Sequence, residues 1–487
     1  MLTLFGTRFV MPYLLAMLAL SACTSVGPNY HIPQAALINA PLANAELDSR
    51  GLPVSTESVP ADWWHLFDDP NLDQLVQEAL RANTDLRVAE ANLMRSHAAE
   101  EFASEQGGWS GGTTATIERT QESAEEYLQS GKIPVVYGGD VGIGVSYEVD
   151  LFGKIRRGIE AAQADSQAME AAKDVVKVAV VADVVRAYVE SCSAAEEQLI
   201  AEESLSVGQL RADAMRKLRD AGRVAQIDVS KEETKVSILR AGMPVFAARR
   251  RIAQYKLAAL LSRAPSDLPP AVFSCHDVPE LLRPMPIGDS TSMLRRRPDV
   301  RQAERKLAAA TARIGVAVAE LYPSITIGAS AGSTGILGDL LSPSTNHWAL
   351  GPLINWTFPE NGQRARVRMA QAQAGGALAE LDGAVLNALR ETQTSLAAYS
   401  ADYQRVVSLQ TAYESEMNTL AQTRRLQAAG RESVLSTLDA SGDLASLHAS
   451  LAAQQGQVAL DQVQLFEALG GGWAQKEDQN RAAPLIK

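Results

Sequence analysis

This chain is written twice. Thr84–Leu93 matches Pro298–Leu307, with Asp85 falling on Asp299 at an offset of 214 residues. Tyr147–Gly153 matches Trp356–Gly362 at an offset of 209, and Leu218–Arg223 matches Leu426–Arg431 at an offset of 208. Three matches in the same order, with so little drift, mark a tandem duplication. Any fold of this chain must use each element twice.

Both halves run through the same elements. An Ala-rich helical stretch opens each, Leu72 to about Ser104 and Met293 to about Leu321. Two segments of period-two alternation follow. Val141, Ile143, Val145, Tyr147 and Val149 are apolar, while Gly142, Gly144, Ser146, Glu148 and Asp150 between them are small or polar. Pro323, Ile325, Ile327, Ala329 and Ala331 repeat the pattern, as do Trp348, Leu350, Ile354, Trp356 and Phe358; Trp109–Arg119 shows it most weakly. The Gly- and Ser-rich stretches 122–139 and 334–347 read as exposed loops between paired strands.

A helical run without proline follows each pair of strands, Lys154–Ala221 and Gln363–Ala429. Each spans on the order of 100 Å at 1.5 Å per residue. Gly222 and Gly430 then turn the chain back into Ala225–Arg263 and Ser433–Leu469. Helices this long, rich in Ala, Gln and Glu, fit a laterally packed coiled-coil wall better than a globular core. A stalk-like periplasmic coiled coil would also explain them, but not the four amphipathic strands.

Composition narrows the partners. Of the 487 residues, 45 are Lys or Arg and 57 Asp or Glu, a net charge of −12 that argues against nucleic acid. Arg8, the mostly apolar run Phe9–Leu20 and Leu20-Ser21-Ala22-Cys23 read as an export signal. Leu-Ser-Ala-Cys also resembles the bacterial lipobox, in which the cysteine thiol is diacylated and becomes the new N-terminus. An ordinary signal peptide with an incidental cysteine is the alternative. Thr24 is not the aspartate that commonly retains lipoproteins at the inner membrane, so the outer membrane is expected. The other two cysteines, Cys192 and Cys275, are expected to be buried thiols and not a bridge, because their contexts fall in different layers. The six histidines are scattered without metal-ligand spacing, and no nucleophile elbow, phosphate loop or His-Glu-x-x-His occurs.

Four strands with one apolar face fit a membrane barrel but are too few to close one, since bacterial barrels begin at eight. Unpaired edges are not tolerated in lipid, so several chains must contribute to one barrel. Two copies give eight strands and a filled interior; three give twelve and a lumen. The small polar set Gly142, Gly144, Ser146, Ser324, Thr326 and Gly328 suits a wet interior. A soluble sheet packed on the helices is the competing reading.

At this point a family resemblance is legible. Val26-Gly27-Pro28-Asn29-Tyr30 after Cys23, Trp63–Leu72, Tyr147–Lys154, Arg296–Arg301 and Glu320–Ser324 resemble the outer membrane factors of tripartite efflux pumps. The likeness is to the TolC/OprM group and its lipoprotein (NodT-type) branch, which works with pumps of the RND type. It implies a mainly α fold with β: a homotrimer with a twelve-stranded outer-membrane barrel, four strands per chain, continuous with a long periplasmic helical barrel. The expected divisions are a lipoprotein signal peptide (1–22), an N-terminal anchor and equatorial segment (23–71), a first repeat (72–263), an equatorial linker (264–292), a second repeat (293–469) and a C-terminal equatorial tail (470–487). No cofactor is implied beyond the covalent diacylglycerol and N-acyl lipid on Cys23.

The same resemblance supplies site residues. Gly222, Arg223, Gly430 and Arg431 would form tips that meet a periplasmic adaptor protein; a plain helical-hairpin turn is the bland alternative. Leu435 and Asp439, four apart on one helical face, match positions that narrow the closed entrance. Three symmetry-related Asp439 carboxylates would crowd the axis unless they bind cations or pair with Arg424 or Arg425. A solvated helix face remains the alternative for Asp439, and Asp228 is a weaker candidate. Many members carry a tyrosine where this chain has Gln427. The implied function is a passive, non-enzymatic exit duct for drugs or other toxic compounds delivered by an inner-membrane pump. Two alternatives stand: the same channel exporting protein, metal ions or oligosaccharides, and a periplasmic scaffold lipoprotein without a pore.

Overall fold

The structure is a computed structural model and describes residues 25–44, 46–125, 128, 130–358 and 362–471. The expected signal peptide, Cys23 and most of the expected C-terminal tail lie outside the described residues. In chain order the main elements are α1 (Pro70–Ala82), α2 (Thr84–Glu105), β1 (Trp109–Thr120), β2 (Val136–Val149), α3 (Lys154–Asp220), α4 (Gln226–Leu260), α5 (Ser290–Arg296), α6 (Pro298–Ala319), β3 (Ser324–Ile336), β4 (Asn346–Asn355), α7 (Gln363–Ala428) and α8 (Val434–Ala468). The chain forms two compact units, and neither is one half of the duplication. Among the described residues, one comprises 25–34, 92–170 and 302–381, the other 35–91, 171–301 and 382–471.

The first unit contains an antiparallel sheet of order β1-β2-β3-β4. Its register puts all four apolar sets on one face: Trp109 pairs with Tyr147, Tyr147 with Ile327, Ile143 with Ala331 and Ala329 with Leu350. A slip of one residue in any strand would scatter these side chains across both faces. β1, the weakest by pattern, is paired along all twelve of its residues. β2 and β3 run further into the expected loops than alternation indicated, because hydrogen bonding continues through small residues such as Gly138 and Gly335.

An N-terminal strap closes this unit at the helix-side end of the sheet. The Val26 N–H donates to the Phe152 carbonyl (3.0 Å), and Arg157 donates to the Val26 carbonyl and to Asn29 Oδ1 (3.2 and 2.7 Å). Gly27 has φ +86°, and a Cβ there would fall 2.5 Å from the Gly315 Cα, so no larger residue fits. These contacts give the Val-Gly-Pro-Asn-Tyr stretch a packing reason.

In the second unit, Trp63 stacks on Phe466 with ring centroids 4.6 Å apart. Asp69 caps α1 by accepting from the Asn71 N–H (2.8 Å) and also accepts from the Tyr188 hydroxyl (2.7 Å). Val54–Ser55 pairs in parallel with Met285–Pro286, joining the segment before α1 to the α4–α5 connection. Arg296 and Arg297 grip the end of α8, donating to the carbonyls of Leu469 (2.8 Å) and Ala468 (2.6 Å).

One expectation is overturned. Cys192 and Cys275 form a disulfide, with Cα atoms 5.1 Å apart at a sequence separation of 83. The α4–α5 connection does not stay in a separate layer. Its one-turn helix Pro270–Phe273 buries Val272 completely and brings Cys275 onto α3.

Candidate functional site at the helical tips and the sheet

Each long helix ends in the same closure. The Gly222 N–H donates to the Arg219 carbonyl and the Arg223 N–H to the Leu218 carbonyl, both at 2.8 Å. Gly430 donates to Gln427 (2.9 Å) and Arg431 to Leu426 (2.8 Å). These are paired Schellman motifs, and the glycines hold the left-handed conformation they require, φ +72° and +69°. Gly222, Arg223, Gly430 and Arg431 are all exposed, so the tip residues picked out by sequence are available at the surface.

The return helices start differently. Ser433 caps α8 by accepting from the Ser436 N–H (3.0 Å). Ala225 has no side-chain oxygen, so the Asp228 carboxylate reaches back to accept from the Ala225 N–H (3.3 Å). Asp228, a weaker gate candidate by sequence, is thus occupied at the helix start and also lies 3.8 Å from Lys231.

Asp439 is half-exposed and ion-paired, but its partner is Arg211 of α3 and not Arg424 or Arg425. Arg211 Nε also lies 2.9 Å from the buried carboxylate of Glu232 on α4, which Lys235 approaches at 3.0 Å. One guanidinium therefore links the outgoing helix of the first half to both return helices. Leu435 is half-buried one turn before Asp439, and Arg424 and Arg425 are exposed on α7. Sequence reading missed Arg211 and Glu232, because no local pattern connects residues on three helices.

The sheet is the second functional surface. Its apolar face is open: Ile143 is 59% exposed, Trp348 79%, Leu350 72% and Ile354 63%. Aromatic pairs stand at the helix-side end, Phe152 on Tyr322 (4.5 Å) and Trp356 against Phe358 (5.5 Å). Strands of ten to fourteen residues match the roughly 9–11 residues a tilted strand needs to span a bilayer. The opposite face carries Glu118, Asp140 and Glu148 and no Lys or Arg among the described residues. Asp140 accepts hydroxyl hydrogen bonds from Thr334 (2.6 Å) and Thr114 (3.3 Å). Among the described residues no helix is long and apolar enough to cross a membrane, and no cluster of three metal-ligating side chains occurs.

The model of the outer membrane efflux protein family matches residues 75–263 and 290–471, one copy on each half. The chain belongs to this family. Nodulation protein T of Rhizobium leguminosarum bv. trifolii is 27% identical over 473 residues, covering 96% of this chain and 98% of that protein. The solvent efflux pump outer membrane protein SrpC of Pseudomonas putida is 30% identical over 481 residues, covering 94% and 97%. Among solved structures, the outer-membrane channel OprN superposes with a TM-score of 0.82 at 32% identity, covering 92% of this chain and all of that one. This outer membrane efflux protein thus has the family's fold class: trimers in which each chain gives four strands to a twelve-stranded outer-membrane barrel and long helices to a periplasmic helical barrel. Its exposed apolar sheet face is then the lipid-facing one.

Proposed function

We propose that the protein is the passive exit duct of a tripartite efflux system, receiving drugs or other small toxic compounds from an inner-membrane pump of the RND type through a periplasmic adaptor. The observation that carries this reading is the four-stranded sheet with one exposed apolar face and one small, polar face. Such a sheet can be buried in lipid only by closing with other copies around a wet interior. The relative described as a solvent efflux pump component favours small toxic compounds over protein, metal ions or oligosaccharide as cargo. A pore-less scaffold would leave the apolar face uncovered.

In this mechanism the chain supplies a path and a gate, and the partner supplies the energy. The exposed tips around Gly222–Arg223 and Gly430–Arg431 dock the adaptor. The Arg211 link to Glu232 and Asp439 holds the two return helices together at rest, with Leu435 narrowing the entrance beside it. Adaptor contact that draws α8 from α3 separates Asp439 from Arg211 and widens the opening. Cys23 carries diacylglycerol and an N-acyl chain, which anchor the chain in the outer membrane.

The decisive experiment is planar-bilayer conductance of the purified trimer, paired with drug susceptibility of a strain lacking the gene. More frequent openings in Asp439→Ala than in the wild type and restored resistance on complementation are expected. A monomer that extracts without detergent and conducts nothing would overturn the reading.

A further inference from the structure

The connection between α4 and α5 is fixed at its two ends by main-chain hydrogen bonds, the Val272 N–H donating to the Pro269 carbonyl and the Met285 N–H to the Pro53 carbonyl. In between, Arg250 donates to the Phe273 carbonyl (2.5 Å), and the Val278 N–H donates to the Glu196 carboxylate (3.3 Å). Most side chains from Phe273 to Pro284 are exposed or half-exposed, Leu282 at 71%.

Electrostatics works against this docking. Asp68, Glu196, Asp277 and Glu280 line a single cavity of about 450 Å³. Burial pushes the Glu196 carboxyl above the ordinary range, the Val278 amide pulls it back, and Asp277, Glu280 and Glu197 add to the upward push. Carboxylates that share a cavity repel one another, so the connection is pressed away from α3. The Cys192–Cys275 bond crosses that same contact.

We propose that this chain is a substrate of thiol oxidation in the compartment where it folds, and that the Cys192–Cys275 bond is the latch holding residues 273–284 on α3. Chemically, one cysteine thiolate attacks the disulfide of an exchange oxidant to form a mixed disulfide, and the second attacks the chain's sulfur of that bond and displaces the oxidant's thiolate. The chain gains its S–S bond and gives up two protons and two electrons, and the oxidant leaves as a dithiol. Cys192 is fully buried and Cys275 half-exposed. Oxidation therefore precedes closure of this contact, and Cys275 is the sulfur an external reductant reaches. The cytosol keeps thiols reduced and the bacterial periplasm does not, so the latch closes only after export, whatever the duct carries.

Peptide mapping of the membrane-extracted trimer, acid-quenched and alkylated before digestion, tests the first part. Cys192 and Cys275 should be recovered as one cross-linked peptide; recovery of both as alkylated free thiols overturns the proposal. Thermolysin tests the latch. Reduction of the folded wild-type trimer should speed cleavage before Leu281 or Leu282 about tenfold, by opening this region locally. The Cys192→Ala/Cys275→Ala variant should match the reduced wild type. Reduced trimer cut no faster than oxidised trimer would refute the latch, and that comparison stands even if the variant fails to assemble.

Discussion

The ends of the two return helices are held at equivalent places by different chemistry. In the first half Asn83 donates to the Leu260 carbonyl (3.0 Å); in the second Arg297, its counterpart at the offset of 214, donates to the Ala468 carbonyl (2.6 Å). Asn83 also accepts from the N–H groups of Asp85 and Leu86 (2.8 and 3.2 Å), capping α2. Arg297 instead reaches Asp299 and Glu391 (2.8 and 2.7 Å). The same divergence runs along the helices. Buried Asp461 of α8 stands where the first half has buried Ala253, and Asp402 of α7 where it has buried Ala194. Near the tips Asp439 stands where the first half has Lys231. Duplication preserved backbone geometry and small-residue packing, while the polar side chains of the two halves drifted apart.

The two halves should differ most at Arg297. Its guanidinium is buried but Asp299 and Glu391 are partly exposed, so Arg297→Ala, which leaves those carboxylates and the Ala468 carbonyl without it, has an expected loss of about 2–3 kcal/mol. Asn83→Ala removes a cap and one carbonyl contact and should cost only about 1–2 kcal/mol. Chemical denaturation of the two trimers checks the ratio; equal losses would mean that the two ends are equivalent after all.

Asp461 comes next. Burial pushes its carboxyl from 3.8 up to about 6, with the Gln457 hydrogen bond opposing and Asp402 reinforcing the rise. The folded chain therefore keeps a proton through this window that the unfolded chain releases. The contribution of Asp461 to stability is fully present below pH 3.8 and is lost as pH rises through about 6, roughly 2–3 kcal/mol in all. Asp402→Ala/Asp461→Ala restores the first half's residues and should abolish that slope, raising thermal stability at pH 7.5. An unchanged slope would place the titration elsewhere.

At the tips the halves agree, and the expected effects agree with them. Both glycines have open space where a side-chain carbon would stand, and they differ little in φ. Gly222→Ala and Gly430→Ala should each cost about 1 kcal/mol, equal within error by thermal unfolding. The smallest effect belongs to the Arg211–Asp439 pair. Asp439 is half-exposed, so a double-mutant cycle should give a coupling of only about 0.5 kcal/mol, against none for the corresponding Thr419 and Lys231. Conductance should still rise in Asp439→Ala, because a gate needs only a small bias between its states.

Much of the architecture was legible from local signals. Period-two alternation located the four strands, and glycines at helix ends located both tips, because each signal lies within a few consecutive residues. Arg211, Glu232 and the disulfide were not legible. Arg211 and Asp439 lie on different halves, and nothing near either one names the other. The cysteines misled for a related reason: their contexts were assigned to separate layers, whereas Val272, buried by its one-turn helix, folds the connection back onto α3.

Residue order alone was enough to say which segments are helix and strand, which strand face is apolar, and that one chain is too short to close a barrel. Those follow from residue spacing and from hydrogen bonds that lipid leaves no water to replace. Packing chose the partners of charges and thiols: Asp439 with Arg211, Arg297 with the end of α8, Cys192 with Cys275. Such pairings depend on distances across helices tens of residues apart in sequence, and those distances exist only once the chain has packed.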